Sequence, residues 1–169
     1  VLDLIRIAVT GPISSGKSTV CELLKPYGAY VVIADEIVHK YLQSNKNLQN
    51  QINLLLNTEI SFYDSSYRQQ IAQKVFKDTS LLEKYEKLIH PCVLEAINNA
   101  YIDCQNASSF KMFVCEMPLL YELGLEGFFN KTIYVTAEDQ ICIDRFKAKT
   151  GYDKNQWLLR MNRFLNAKE

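Results

Sequence analysis

Apolar residues along this chain fall into two kinds of run, and the two kinds divide it into regions. Leu4 to Thr10 (LIRIAVT) is a short continuous apolar stretch rich in β-branched residues, which predicts a buried strand. It passes straight into a Gly/Ser loop. From Ser18 to Lys25 the apolar positions Val20, Leu23 and Leu24 take helical spacing, and Pro26 with Gly28 ends that helix. Tyr30 to Ala34 (YVVIA) predicts a second buried strand, followed by a helix from about Asp35 to Leu42. Strand, helix and strand in this order begin a parallel α/β sheet.

The middle of the chain reads differently, as amphipathic helices without a strand. Leu48, Ile52 and Leu55 form one apolar face, and Tyr67, Ile71 and Val75 form another. Ser80-x-x-Glu83 reads as a capping box, after which Leu81, Tyr85, Leu88, Cys92 and Ala96 keep helical spacing. Pro91 falls inside that pattern and is expected to kink or split the helix, since it lacks an N–H and crowds the carbonyl of Lys87. Strand patterns resume at Phe110 to Cys115 and Lys131 to Val135. Thr136-x-x-Asp139 is the expected cap of a helix running to about Lys149, Gly151 its end, and Asp153-x-x-Gln156 the start of the last helix. The expected organisation is one domain, 1–169. It comprises a core at 1–43 and 108–142, a helical insertion at 44–107 and a lid region at 143–156.

Composition narrows the function more than the fold. Apolar residues make up 48% and charged residues 22%, and nineteen basic side chains balance nineteen acidic ones. Such a balance argues against a protein that coats nucleic acid or a membrane surface. The five cysteines are scattered without a C-x-x-C pair, and with only two histidines beside them a structural zinc site is not expected. The opening run carries Asp3 and Arg6 and does not read as a signal peptide, and no apolar segment reaches membrane-spanning length. A cytoplasmic, monomeric protein acting on small molecules is the expectation.

The chemistry is carried by Gly11-Pro12-Ile13-Ser14-Ser15-Gly16-Lys17-Ser18, a full match to G-x-x-x-x-G-K-[ST] between a strand and a helix start. In that setting successive backbone N–H groups and the helix N-terminus cradle phosphate oxygens. Lys17 reaches the β- and γ-phosphates of ATP, and the Ser18 hydroxyl binds Mg²⁺. Phosphoryl transfer also needs carboxylates near metal and acceptor, and the carboxyl ends of parallel strands are where ligands bind. Asp35 follows the second strand and Glu116 the third, so Asp35 can accept the proton of an attacking hydroxyl and either can hold magnesium through water. Asp35 also suits a helix N-cap, and Glu116 an ordinary loop carboxylate. In the last helical pair, Arg145 and Lys149 are the best candidates to neutralise charge on the transferred phosphoryl, with Arg160 and Arg163 weaker.

These residues together resemble the dephospho-coenzyme A kinases. Their T-G-G-I-G-S-G-K-S-T-V loop is similar to Thr10 through Val20, Thr19 included, and their V-I-D-A-D strand end to Val31-Val32-Ile33-Ala34-Asp35. Glu36-Ile37-Val38-His39 resembles E-I-A-H, Arg68 with Val75-Phe76 an arginine ahead of a V-F pair, and His90-Pro91 the family's H-P. Pro118-Leu119-Leu120-Tyr121-Glu122 is similar to P-L-L-F-E, and Val135 to Gln140 to V-x-x-x-x-Q.

The resemblance implies a three-layer α/β P-loop fold with a parallel sheet ordered 2-3-1-4. The family's closing A-D-x-V-I-x-N strand has no counterpart within these 169 residues. It implies transfer of the ATP γ-phosphate to the 3′-hydroxyl of dephospho-CoA, with Asp35 as general base. Arg68, His90, Leu119 and Glu122 would line the substrate site, and Arg145 with Lys149 would form the lid. Pro12 and Ser14 stand where the family has glycine, Ile33 where it has its first aspartate, and Lys149 where it usually has arginine. Two readings remain beside it: a nucleoside or nucleotide kinase with another acceptor, and a non-catalytic nucleotide-binding protein. A GTPase is disfavoured, because neither D-x-x-G nor N-K-x-D occurs.

Overall fold

The computed structural model describes residues 4–75, 77–107 and 109–162. They form four strands, β1 (Ile5–Thr10), β2 (Ala29–Ile33), β3 (Met112–Glu116) and β4 (Lys131–Tyr134). Seven helices accompany them: α1 (Lys17–Leu24), α2 (Ala34–Ser44), α3 (Lys46–Leu56), α4 (Tyr67–Val75), α5 (Thr79–Ala107), α6 (Asp139–Thr150) and α7 (Lys154–Met161). The strands make one parallel sheet in the order β2-β3-β1-β4, as the sequence predicts. The chain divides into two compact units, Val1–Ile33 with Ala100–Glu169, and Ala34–Asn99.

The first unit is the sheet and its covering helices. Side chains alternate across a strand, so Val9 and Val114 face Cys21 of α1, with Val20 and Leu24 packed beside them. On the opposite face Phe113 is fully buried and meets the Tyr101 ring of α5 edge-on at 5.4 Å. β1 is bonded on both sides, which carries its carboxyl end into the middle of the sheet. Gly151 closes α6 with φ 74°, and the Asp153 carboxylate caps α7 by accepting from the Gln156 N–H at 2.9 Å, both as predicted. Thr136 does not cap α6; Glu138 precedes that helix without a side-chain bond.

The second unit is helical. Leu48, Ile52 and Leu56 of α3 and Tyr67, Ile71 and Val75 of α4 are buried, so the α3 face includes Leu56, with Leu55 only half-buried. The Asn53 side chain ties the segment after α3, accepting from the Ile60 N–H at 2.9 Å and donating to its carbonyl at 3.1 Å. Helix α5 departs from expectation at its cap and its seam, and of the kink or split expected at Pro91 the split does not occur. The helix starts at Thr79, and Asp78 accepts the Leu81 N–H at 3.2 Å, so Asp78 and not Ser80 is the capping residue. Pro91 does not split the helix, which continues to Ala107. Its buried seam is Ile89, Val93 and Ile97, one residue along from the expected Leu88, Cys92 and Ala96.

Candidate active site

β1 delivers Gly11 to a place only glycine fits. Its φ is 135°, and a Cβ there would overlap the carbonyl oxygen of Val135. That carbonyl is close because the Val135 N–H donates to Thr10 at 2.8 Å, fastening the end of β4 to β1. The loop then turns through Ser14, at φ 62°, and Gly16, at φ 109°, into the first turn of α1.

The carbonyls of this loop are all engaged by donors. Lys17 Nζ, on a side chain only 7% exposed, donates to Gly11 at 2.9 Å and Pro12 at 2.7 Å. Trp157 Nε1 donates to Ile13 at 3.4 Å. Arg145 Nη1 lies 3.5 Å from the Ser14 carbonyl and 3.4 Å from that of Ser15. The N–H groups of Ile13, Ser14 and Gly16 make no hydrogen bond among the described residues. The Ser15 N–H closes the turn on the Pro12 carbonyl at 3.3 Å. A loop with its carbonyls turned to donors and three of its amides unspent suits an anion, reinforced by the N-terminus of α1.

Two buried oxygens in this unit lack partners among the described residues: Oε2 of Glu116, at the end of β3, and Oγ of Ser15. Burial, and next the charge on Glu116, push the Cys21 thiol up to about 12. The Ser18 hydroxyl is exposed on the first turn of α1. Exposed hydroxyl and unpartnered carboxylate are hard oxygen donors, which fits Mg²⁺. Among the described residues no three His, Cys, Asp or Glu side chains gather to hold a metal. That is consistent with the way Mg²⁺ is commonly held, by one or two protein oxygens together with substrate phosphates.

After β3 the Met117 N–H donates to Val9 at 2.9 Å, and the Pro118 carbonyl accepts from Thr10 Oγ1 at 3.1 Å. These bonds anchor the turn that carries Leu119 and Glu122. Burial, then the Glu122 charge, raises the Tyr134 hydroxyl above its ordinary value, which puts that carboxylate near the end of β4. On α6, Arg145 is at the phosphate loop. Lys149 is exposed with no partner among the described residues. Arg160 is held elsewhere, against the Phe146 and Tyr152 rings at 5.6 and 4.9 Å and on the Gln156 carbonyl at 2.9 Å. Arg163 lies outside the described residues.

The second unit holds the remaining candidates. Asp35 is exposed in the first turn of α2, and His39 is one turn further along. The Tyr67 hydroxyl joins His39 Nδ1 to Arg68 Nε, and the imidazole stacks on the tyrosine ring at 5.5 Å. Tyr67 is 2% exposed, so this hydroxyl is a fixed point between two polar side chains. His90 is half-buried on α5 and makes no hydrogen bond among the described residues. Tyr67 and Trp157 are the residues that sequence reasoning missed. Tyr67 reads there as one member of an apolar helical face with Ile71 and Val75, Trp157 is not singled out at all, and nothing in the local pattern marks the polar end of either.

A family model described as dephospho-CoA kinase matches residues 5–169. A protein of Protochlamydia amoebophila named dephospho-CoA kinase is 38% identical over 99% of this chain and 83% of its own length. One of Chlamydia muridarum with the same name is 36% identical over the same shares. Among solved structures, TT1252 from Thermus thermophilus superposes with a TM-score of 0.78 at 27% identity, covering 98% of this chain and 82% of that one. A dephospho-CoA kinase from Campylobacter jejuni, at 21% identity and a TM-score of 0.54, shares the fold over 94% of this chain and 78% of its own.

Proposed function

The chain belongs to the dephospho-CoA kinase family, and we propose, on that premise, which of its residues carry the reaction. Family and relatives make it an ATP-dependent phosphotransferase acting on dephospho-CoA. In our reading residues 11–19 bind the ATP phosphates through the free amides of the loop. Lys17, which rests on the Gly11 and Pro12 carbonyls, turns to the β- and γ-phosphates. Ser18 would hold Mg²⁺, with Glu116 or Asp35 reaching it through water, and a bound ion would supply neutralisation of phosphate charge.

Asp35 accepts the proton of the ribose 3′-hydroxyl as that oxygen attacks the γ-phosphorus. The proton ends on the carboxylate, and the γ–β bridging oxygen leaves with ADP. Arg145 releases the Ser14 and Ser15 carbonyls to meet the negative charge of the transferred group, and Lys149 assists as a point charge. Arg68, His90, Leu119 and Glu122 receive dephospho-CoA. Residues 1–169 act as one kinase domain, with core 1–43 and 108–142, substrate insertion 44–107 and lid 143–156, working as a monomer in the cytoplasm. No helix among the described residues is long and apolar enough to cross a membrane.

The observation that carries this reading is the phosphate loop, whose carbonyls are engaged while the amides of Ile13, Ser14 and Gly16 make no hydrogen bond among the described residues. The test is ADP release with Mg-ATP and dephospho-CoA, beside AMP, CMP, GMP and adenosine as acceptors. Turnover with dephospho-CoA alone is the expected result. Turnover with a nucleotide instead would move the acceptor assignment to a nucleotide kinase, and ATP binding without any turnover would favour a non-catalytic role.

A further inference from the structure

We infer that Trp157 is a positioning residue for ATP, holding the phosphate loop from outside in the shape that binds phosphate. The inference rests on the reading of that loop as the ATP site. The loop is not a relaxed turn. Ser14 sits at φ 62°, where a non-glycine residue costs on the order of 1 kcal/mol, and Pro12 provides no N–H. Something must over-determine this conformation for it to persist.

The α6–α7 pair does so. Ile13 packs its side chain against the buried cluster of Cys142, Ile143, Phe146 and Trp157. Its carbonyl takes the indole N–H of Trp157 at 3.4 Å, a long bond but one from a ring only 3% exposed. A buried indole N–H left without an acceptor is costly, so the bond pins both partners. The peptide between Ile13 and Ser14 is planar and trans, so its C=O and N–H point in opposite directions. Turning the Ile13 carbonyl out to Trp157 therefore turns the Ser14 amide inward, and that amide is one of those left free. Trp157 touches no phosphate; it acts through the peptide group that does.

The test is the affinity for Mg-ATP by titration calorimetry, with steady-state kinetics, on the parent and on Trp157→Phe. Phenylalanine keeps an aromatic body in the cluster and removes the N–H. One net hydrogen bond is worth about 1 kcal/mol, or roughly five-fold in binding. Trp157→Phe is therefore expected to raise the Mg-ATP Kd and KM about five-fold, with the dephospho-CoA KM and the kcat at saturating ATP unchanged. Should that variant fold poorly, benzothienylalanine at 157 replaces the N–H by sulfur at nearly the same shape and is read the same way. A Kd within twofold of the parent, or equal losses in ATP KM, dephospho-CoA KM and kcat, would overturn the positioning role while leaving the ATP site intact. A parent protein that does not bind Mg-ATP would overturn the loop reading, and this inference with it.

Discussion

At the scale of single residues, the phosphate loop makes the sharpest claims. Lys17 rests on two loop carbonyls at 2.9 and 2.7 Å, positions it can leave for phosphate oxygens. Lys17→Ala is expected to abolish measurable Mg-ATP binding and to lower turnover at least 100-fold, on the order of a lost electrostatic stabiliser, as calorimetry and ADP release would read. Asp35→Asn should fold, bind ATP and lose about 10²- to 10⁴-fold in kcat, the usual contribution of a general base; near-normal turnover would remove Asp35 from that role. Ser14→Gly tests the strain, since glycine is at ease at φ 62°. A gain of roughly 0.5–1 kcal/mol in urea unfolding is expected. The loop was legible in the sequence because its parts are consecutive residues, and Arg145 because a basic helix after the last strand pattern suggests a lid. Trp157 was not, because its acceptor lies 144 residues away. Tyr67 was hidden for the same reason, its hydroxyl meeting an imidazole 28 residues away.

At the scale of elements, the strands could be read because buried parallel strands are continuous apolar runs, and these are well separated, while their order followed from the family resemblance. Helix starts were harder, since several short polar residues compete for the same orphan amides. Before α5, Ser80 with Glu83 matches the capping-box pattern, yet Asp78 takes the Leu81 N–H, and an acidic side chain also suits the positive end of the helix. Asp78→Ala should therefore cost about 1 kcal/mol, within the range for a lost N-cap. Ser80→Ala, inside the first turn, should be near neutral, and paired urea curves separate the two. That α5 does not split at Pro91 has a different reason. Local propensity opposes proline inside a helix, but the seam of Ile89, Val93 and Ile97 is buried through it, and packing prevails over propensity. The proline is still a cost that the helix carries. Pro91→Ala, at an exposed position, should raise stability by about 1–3 kcal/mol. An unchanged midpoint would mean that the helix has relaxed around the proline.

At the scale of the whole molecule, burial of ionisable groups sets a limit on alkaline stability. Cys21 lies on α1 against the sheet core at 1% exposure, and its thiol is pushed from an ordinary 9.0 up to about 12, first by burial and then by the charge on Glu116. In the helical unit Tyr85 is pushed from 10.0 up to about 12, again first by burial. Both groups ionise more readily in the unfolded chain, so above their ordinary values the unfolded state holds fewer protons and stability falls with pH. Stability is fully present below pH 9 and declines between pH 9 and 12 as the unfolded Cys21 thiol ionises, with Tyr85 adding from pH 10 upward. One proton's difference is worth about 1.4 kcal/mol per pH unit, so Cys21 alone should remove about 1 kcal/mol by pH 10. Urea unfolding at pH 8, 9, 10 and 10.5 would show the decline, and Cys21→Ala is expected to flatten it while shifting the curve at pH 8 by a constant amount. A parent and variant with parallel pH profiles would show that Cys21 ionises in the folded protein as it does in the unfolded chain. The same burial makes a second, independent demand, because a thiol protonated to about pH 12 is not a nucleophile at pH 8. Iodoacetamide at that pH should leave Cys21 unmodified in the folded protein while labelling it in urea, and labelling at equal rates would place the thiol outside the core.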